Sequence, residues 1–192
     1  DKALNNYERS LVIGEEIENK HVMSLTLEGI GFVYLIIDDH DKALDYFERS
    51  LAIAEELGDN FGISLGITGI GFVYFYKGDY KKAEEYLEKS ITIQKEIGLG
   101  ADDLIWSTTY LYLTYKHLGK DYDEKEIHKL IKDAENIEFD LNLQLYELLE
   151  DKEYLETAYN QVQDKASAME DGAKFLSYPI PKAIVEEWEK VK

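Results

Sequence analysis

Gly29-Ile30-Gly31-Phe32-Val33-Tyr34 recurs as Gly69-Ile70-Gly71-Phe72-Val73-Tyr74, an identical hexamer displaced by 40 residues. The same displacement relates Lys2-Ala3-Leu4 to Lys42-Ala43-Leu44 and to Lys82-Ala83. A period of this size marks stacked supersecondary units, none of which can bury its apolar face alone. Each unit reads as two helices. In the second copy Leu65, Ile67, Ile70, Phe72, Val73 and Tyr74 run on to Tyr76, and Lys77-Gly78-Asp79-Tyr80 then interrupts. Gly78 suits the left-handed residue that ends a helix, and Asp79 suits the N-cap of the next. The following helix sets Ala83, Leu87, Ser90, Ile91 and Ile97 on one side at helical spacing. Short turns at Gly58-Asp59 and Gly78-Asp79 make consecutive helices antiparallel neighbours, so the fold is expected to be all-α with no sheet. Gly31 and Gly71 are expected to be close-packing positions between paired helices.

These residues resemble the tetratricopeptide-repeat family. That family sets a small residue and an aromatic three apart on its first helix, then a glycine-aspartate-aromatic turn, then an alanine and a bulky residue on its second helix. Gly71 and Tyr74, Gly78-Asp79-Tyr80, and Ala83 and Leu87 fill those roles, and the first full copy offers Gly31, Tyr34, Asp39, Ala43 and Phe47. The match covers roughly the first two thirds of the chain. The copies exceed the usual length of about 34 residues, as in the family's long-helix branch. Glu55 and Lys95 stand where the family often has proline. The resemblance implies a right-handed superhelical array of antiparallel helix pairs, and the last unit of such an array needs a cap.

With 45% hydrophobic residues in 192, the chain can bury a substantial core. Its 40 acidic and 21 basic residues give a formal charge of −19. That field repels nucleic-acid phosphates and anionic membrane surfaces, so neither is expected as a partner. The absence of cysteine excludes disulfides, thiol chemistry and thiolate metal sites. The longest apolar stretch, Ile63 to Tyr76, is broken by glycines and falls short of the ~20 residues a bilayer span requires. Asp1-Lys2-Ala3-Leu4 is not a signal peptide, and a cytoplasmic setting is expected.

Residues 1–18 align with 41–58 and read as an orphan second helix, which implies a partner helix upstream and a longer protein. Its apolar face is then open to another molecule, including a second copy of the chain. Full repeats follow at 21–58 and 61–98. A degenerate repeat spans 101–135, with Lys120 a one-residue insertion in its turn. The array is expected to end at 135, and residues 136–192 to form a degenerate helical pair with a C-terminal cap. Within that region Phe175-Leu176-Ser177-Tyr178-Pro179-Ile180-Pro181 is expected to be extended, with Pro181 opening a last helix that carries Ile184, Val185 and Trp188 on one face. The tail is expected to dock on the last helical pair, with occupation of the concave groove as the alternative. The run from Tyr154 through Trp188 also resembles the closing segment of tetratricopeptide regions in large microbial signalling proteins, some with nucleotide cyclase or kinase domains.

No catalytic pattern stands out. Gly66, Gly69 and Gly71 lie within a helix, follow no strand and precede no Gly-Lys-Ser/Thr, so they read as packing positions and not as a phosphate loop. His21, His40, His117 and His128 have none of the spacings of a zinc or hydrolase motif. Asp38-Asp39-His40-Asp41 could hold a cation, but aspartates at an interhelical turn also cap the next helix. No enzyme activity, cofactor or metal is expected.

What the resemblance implies about binding is more specific. In the family the first helices line a concave groove. Carried over by alignment, its stripe is Leu25, Glu28, Gly29, Phe32, Leu35 and Ile36, then Leu65, Thr68, Gly69, Phe72, Phe75 and Tyr76, then Trp106, Thr109, Tyr110, Leu113, Lys116 and His117. The candidate ligand residues are Phe32, Ile36, Phe72, Phe75, Tyr76, Trp106, Tyr110 and Leu113. Gly29 and Gly69 stand where the family's carboxylate clamp has asparagine, so a hydrophobic helix or extended segment of a protein or peptide fits better than an acidic C-terminal tail. Two other readings stay open: the aromatic stripe is core covered by neighbours or by the tail, or the repeats space the domains of a larger signalling enzyme with no separable ligand.

Overall fold

The computed structural model describes residues 2–192, so Asp1, where the expected orphan helix begins, lies outside the described residues. Among these the chain is an all-α repeat array without strands: α1 (Lys2–Glu16), α2 (Lys20–Ile36), α3 (His40–Leu57), α4 (Asn60–Tyr76), α5 (Tyr80–Glu96), α6 (Ala101–Leu118), α7 (Glu124–Asp133), α8 (Phe139–Leu149), α9 (Lys152–Ala168), α10 (Gly172–Leu176) and α11 (Pro179–Val191). Sequential helices from α1 to α7 pack as neighbours, and α2, α4, α6 and α8 also touch in succession to form an inner layer.

The turns repeat as faithfully as the hexamer. Asp79 accepts a hydrogen bond from Lys82 N at 3.3 Å, as Asp39 does from Lys42 N, satisfying a donor that the first turn leaves free. Asp79 N donates to Tyr74 O and Asp39 N to Tyr34 O, both at 2.9 Å, which closes the preceding helix. Gly78 takes φ +75° for this closure, and in the earlier copy Asp38 takes φ +67°. Aspartate is among the few residues that tolerate this region.

Packing explains the helical glycines. A Cβ on Gly31 would lie 2.8 Å from the Phe47 ring, one on Gly71 2.8 Å from Leu87 Cγ, and one on Gly69 2.5 Å from Phe47 Cδ1. Phe47 and Leu87 are fully buried, so each glycine admits a large side chain from the facing helix. A buried polar ladder shares the period. Ser50 Oγ donates to Ser24 O at 2.8 Å and, 40 residues on, Ser90 Oγ donates to Ser64 O at 2.9 Å.

The third unit departs from this plan. The helix α7 has 10 residues against 18 in α3 and 17 in α5, because the segment after Gly119 does not resume a helix until Asp123 caps Lys125 N and Glu126 N. The core nevertheless continues past residue 136, since Leu141, Leu145 and Leu148 of α8 share one cluster with Phe72 and Leu111.

The tail differs from the extended segment expected at Phe175–Pro181. Phe175 and Leu176 belong to α10, and Pro179, not Pro181, opens α11. Both prolines sit in the first turn, where the backbone N–H has no intrahelical partner and proline costs no hydrogen bond. Only Tyr178, the residue before proline, is extended, with φ −69° and ψ 152°. Ile184 is fully buried against Leu143, Leu155, Ala158 and Val162, and Trp188 stacks on Tyr159 with ring centroids 5.5 Å apart.

Candidate functional site

The inner faces of α2, α4 and α6 enclose a concave cavity of about 540 Å³. The period places aromatic rings on successive inner helices, and these form its floor. Phe32 lies 6.5 Å from Phe72 between centroids, and Phe72 lies 4.1 Å from Tyr110. Tyr76 and Tyr110 share a hydroxyl hydrogen bond of 2.6 Å. Part of the Tyr76 ring is open to the groove while its hydroxyl end is enclosed, and burial pushes its pKa up to about 12. Burial likewise raises Tyr110 well above the ordinary tyrosine range, so both hydroxyls stay protonated and available for hydrogen bonding.

Of the candidate residues, Phe32, Ile36, Phe72, Tyr76, Trp106 and Tyr110 line the cavity, together with Leu35, Leu65 and Thr68 of the wider stripe. Phe75 and Leu113 do not line it. Phe75 is buried against Tyr80, Tyr110 and His117, and Leu113 lies in the main core. Gly29 and Gly69 are also displaced from the groove: the first faces Tyr7 of α1 and the second Phe47 of α3. Lys116 donates to Glu147 O and Leu148 O at the end of α8, and His117 stacks on Tyr80 at 4.2 Å. A helix sandwiched between two others offers only a narrow arc to the groove, so a stripe read at helical spacing is wider than the face that remains open.

Sequence reasoning missed the walls. Asp38 comes from the turn between α2 and α3, His40 from the start of α3, Asp102 and Asp103 from the first turn of α6, and Asp140 and Gln144 from α8. Pro179 and Ile180 close one end, so the tail packs on α8 and α9 and also reaches the groove. The aspartates carry the same signal as helix caps, and α8 lies where the period has faded. No pattern in one chain distinguishes a wall from a cap.

The Asp38–Asp41 cluster is taken up locally. Asp38 Oδ1 lies 3.1 Å from His40 Nε2, Asp39 caps α3 and pairs with Lys42, and Asp41 pairs with Lys77 at 2.6 Å. Among the described residues no group of three or more His, Asp or Glu is placed to hold a metal ion, and no helix is long and apolar enough to cross a membrane. A second, shallower cleft of about 460 Å³ lies among α5, α6 and α7, where α7 is short. Tyr112 donates to Glu126 and Lys95 pairs with Glu126 at 2.8 Å, while Thr108 Oγ1 is buried without a hydrogen-bond partner among the described residues. On α1 and in the turn after it, Val12, Ile13 and Ile17 are 51–61% exposed.

Comparison with known proteins bears on the repeats. Two family models described as tetratricopeptide repeat match residues 1–56 and 68–97. A crystal structure of nearly identical TPR-like repeats from a Podospora anserina kinesin light chain is similar with a TM-score of 0.52 and 15% identity, covering 98% of this chain and 88% of that one. At that identity the likeness concerns the fold alone. No curated protein matches the chain.

Proposed function

Because this chain belongs to the tetratricopeptide-repeat family, we propose that it is a protein-interaction scaffold. It takes a hydrophobic helix or extended segment of a partner into the groove of α2, α4 and α6, and it performs no catalysis of its own. Repeats of this family mediate protein–protein contacts and scaffolding. The observation that carries the reading is an open, aromatic-floored cavity of about 540 Å³ on the inner face, with Phe32 and Trp106 half-buried and unfilled by the tail, which forms only an end wall. Exposed aromatic surface in a concave site is what an apolar side chain displaces water from.

Selection of displayed linear peptides on the immobilised chain tests it. Apolar sequences are expected to be enriched, and synthetic copies are expected to lose about tenfold or more in affinity against Trp106→Ala, as for an interface anchor. Phe32→Ala serves as a second variant, and unchanged melting of both keeps the loss attributable to the groove. No enrichment, or binding indifferent to both variants, refutes the reading.

A further inference from the structure

The cavity has an apolar floor and acidic walls. Asp38, Asp102, Asp103 and Asp140 line it, no lysine or arginine among the described residues does, and His40 already lies against Asp38. Asp102 Oδ1 accepts from Glu135 N at 2.9 Å and Asp140 Oδ1 from Leu141 N at 3.0 Å, which leaves the second oxygen of each without a hydrogen bond among the described residues.

An independent observation singles out one stretch of wall. Gln144, four residues after Asp140 and so on the same face of α8, lines the cavity while only 7% exposed, and its Oε1 is buried with no hydrogen-bond partner among the described residues. Buried acceptors of this kind are rare in native interiors and costly. Gln94 shows the contrast: its Oε1 accepts from Ser107 at 2.6 Å and its Nε2 donates to Thr68. Burial raises the Asp140 carboxyl above the usual range, although backbone hydrogen bonds and the Lys165 charge pull the other way. Asp140 lines the same cavity as the Tyr76 and Tyr110 rings of the aromatic floor.

We propose that the Asp140–Gln144 wall is a receptor for an arginine side chain next to an apolar residue in the bound segment. This rests on the groove being the peptide site and adds the chemistry of what it selects. A guanidinium presents planar N–H donors to two acceptors at once, the unbonded Asp140 oxygen and a Gln144 Oε1 that turns out of its buried position to meet it, and stacks on tyrosine, whereas an ammonium is a compact, strongly hydrated point charge. The formal charge of −19 draws such a segment in, and added salt weakens that attraction.

The test uses the full chain and the peptides selected on it. Enriched sequences are expected to carry arginine within two residues of an aromatic or aliphatic one. Replacing that arginine by citrulline, which is neutral and nearly isosteric, is expected to weaken binding about tenfold or more, as for loss of a charge-assisted hydrogen bond. Asp140→Asn and Gln144→Leu are each expected to weaken the arginine peptide by a larger factor than the citrulline peptide. Apolar peptides without arginine, or equal binding of the citrulline form, overturn the receptor and leave the groove reading standing. Equal weakening of both peptides by Asp140→Asn assigns that residue a structural role and overturns it too. The absence of any enrichment removes the groove reading, and the receptor with it.

Discussion

Replacing Glu28 by glutamine is expected to remove one pH-dependent contribution to stability, whose direction is opposite to ordinary acid denaturation. Glu28 lies on α2 and is 8% exposed, and among the described residues no hydrogen bond or cation offsets its enclosure. Burial, with a smaller push from the Asp59 charge, lifts its pKa from 4.5 to about 7. In the next copy the equivalent Thr68 is neutral and shares a 2.6 Å hydrogen bond with Ser90, so the period itself shows what the site accommodates. For an acid raised in the folded state, the folded protein binds the proton more tightly than the unfolded chain. Its contribution is therefore favourable below pH 4.5, declines as pH rises, and is fully lost above about pH 7. The shift from 4.5 to about 7 corresponds to a swing of about 3 kcal/mol at about 1.4 kcal/mol per pKa unit. The isosteric variant carries a pH-independent offset from its own buried amide, so the informative quantity is the change in the difference between variant and wild type. Urea unfolding at pH 4, 5, 6, 7 and 8 measures it. The advantage of Glu28→Gln is expected to grow by about 3 kcal/mol across that range. Carboxylates such as Glu138 and Glu150, held low by lysine partners, titrate the opposite way in both proteins and cancel. A difference that stays flat from pH 4 to pH 8 refutes the buried, uncompensated acid.

Gly69→Ala places a Cβ 2.5 Å from the Phe47 ring. The gain in helix propensity of about 1 kcal/mol is expected to be outweighed by overpacking on the order of 1–3 kcal/mol, and a raised melting temperature would show that the ring moves freely. Gly71→Leu against Leu87 is expected to cost at least as much by the same scan. Deleting residues 173–192 uncovers Leu143, Leu155, Ala158 and Val162, and the truncated chain is expected to melt earlier or aggregate in thermal and size-exclusion assays. Retained stability would mean that α11 does not cap the array.

Much of the architecture was legible in one chain because a repeat states its own alignment. The hexamer pair assigns the same helix, turn and facing helix twice, and helical spacing with Gly-Asp turns is local chemistry that needs no distant partner. The roles of Gly31 and Gly71 follow from the same logic, since residues that weaken a helix there must admit something large. Tertiary structure alone decided which arc of each inner helix stays open. Phe75 and Leu113 fall on the apolar stripe, yet neighbouring helices enclose them, while Phe72 and Tyr110 border the cavity. The first turn of α11 departs from the expected extended segment because the bias of a residue before proline away from the helix holds at Tyr178 but is overridden at Ile180, and which proline stands first depends on how the tail packs. The acidic walls come from turns and from α8, brought together across as many as 106 residues between Asp38 and Gln144. Such a juxtaposition has no period and leaves no local trace. A carboxylate that caps a helix and one that faces a groove are the same residue in the sequence, and only the superhelical path of the chain separates them.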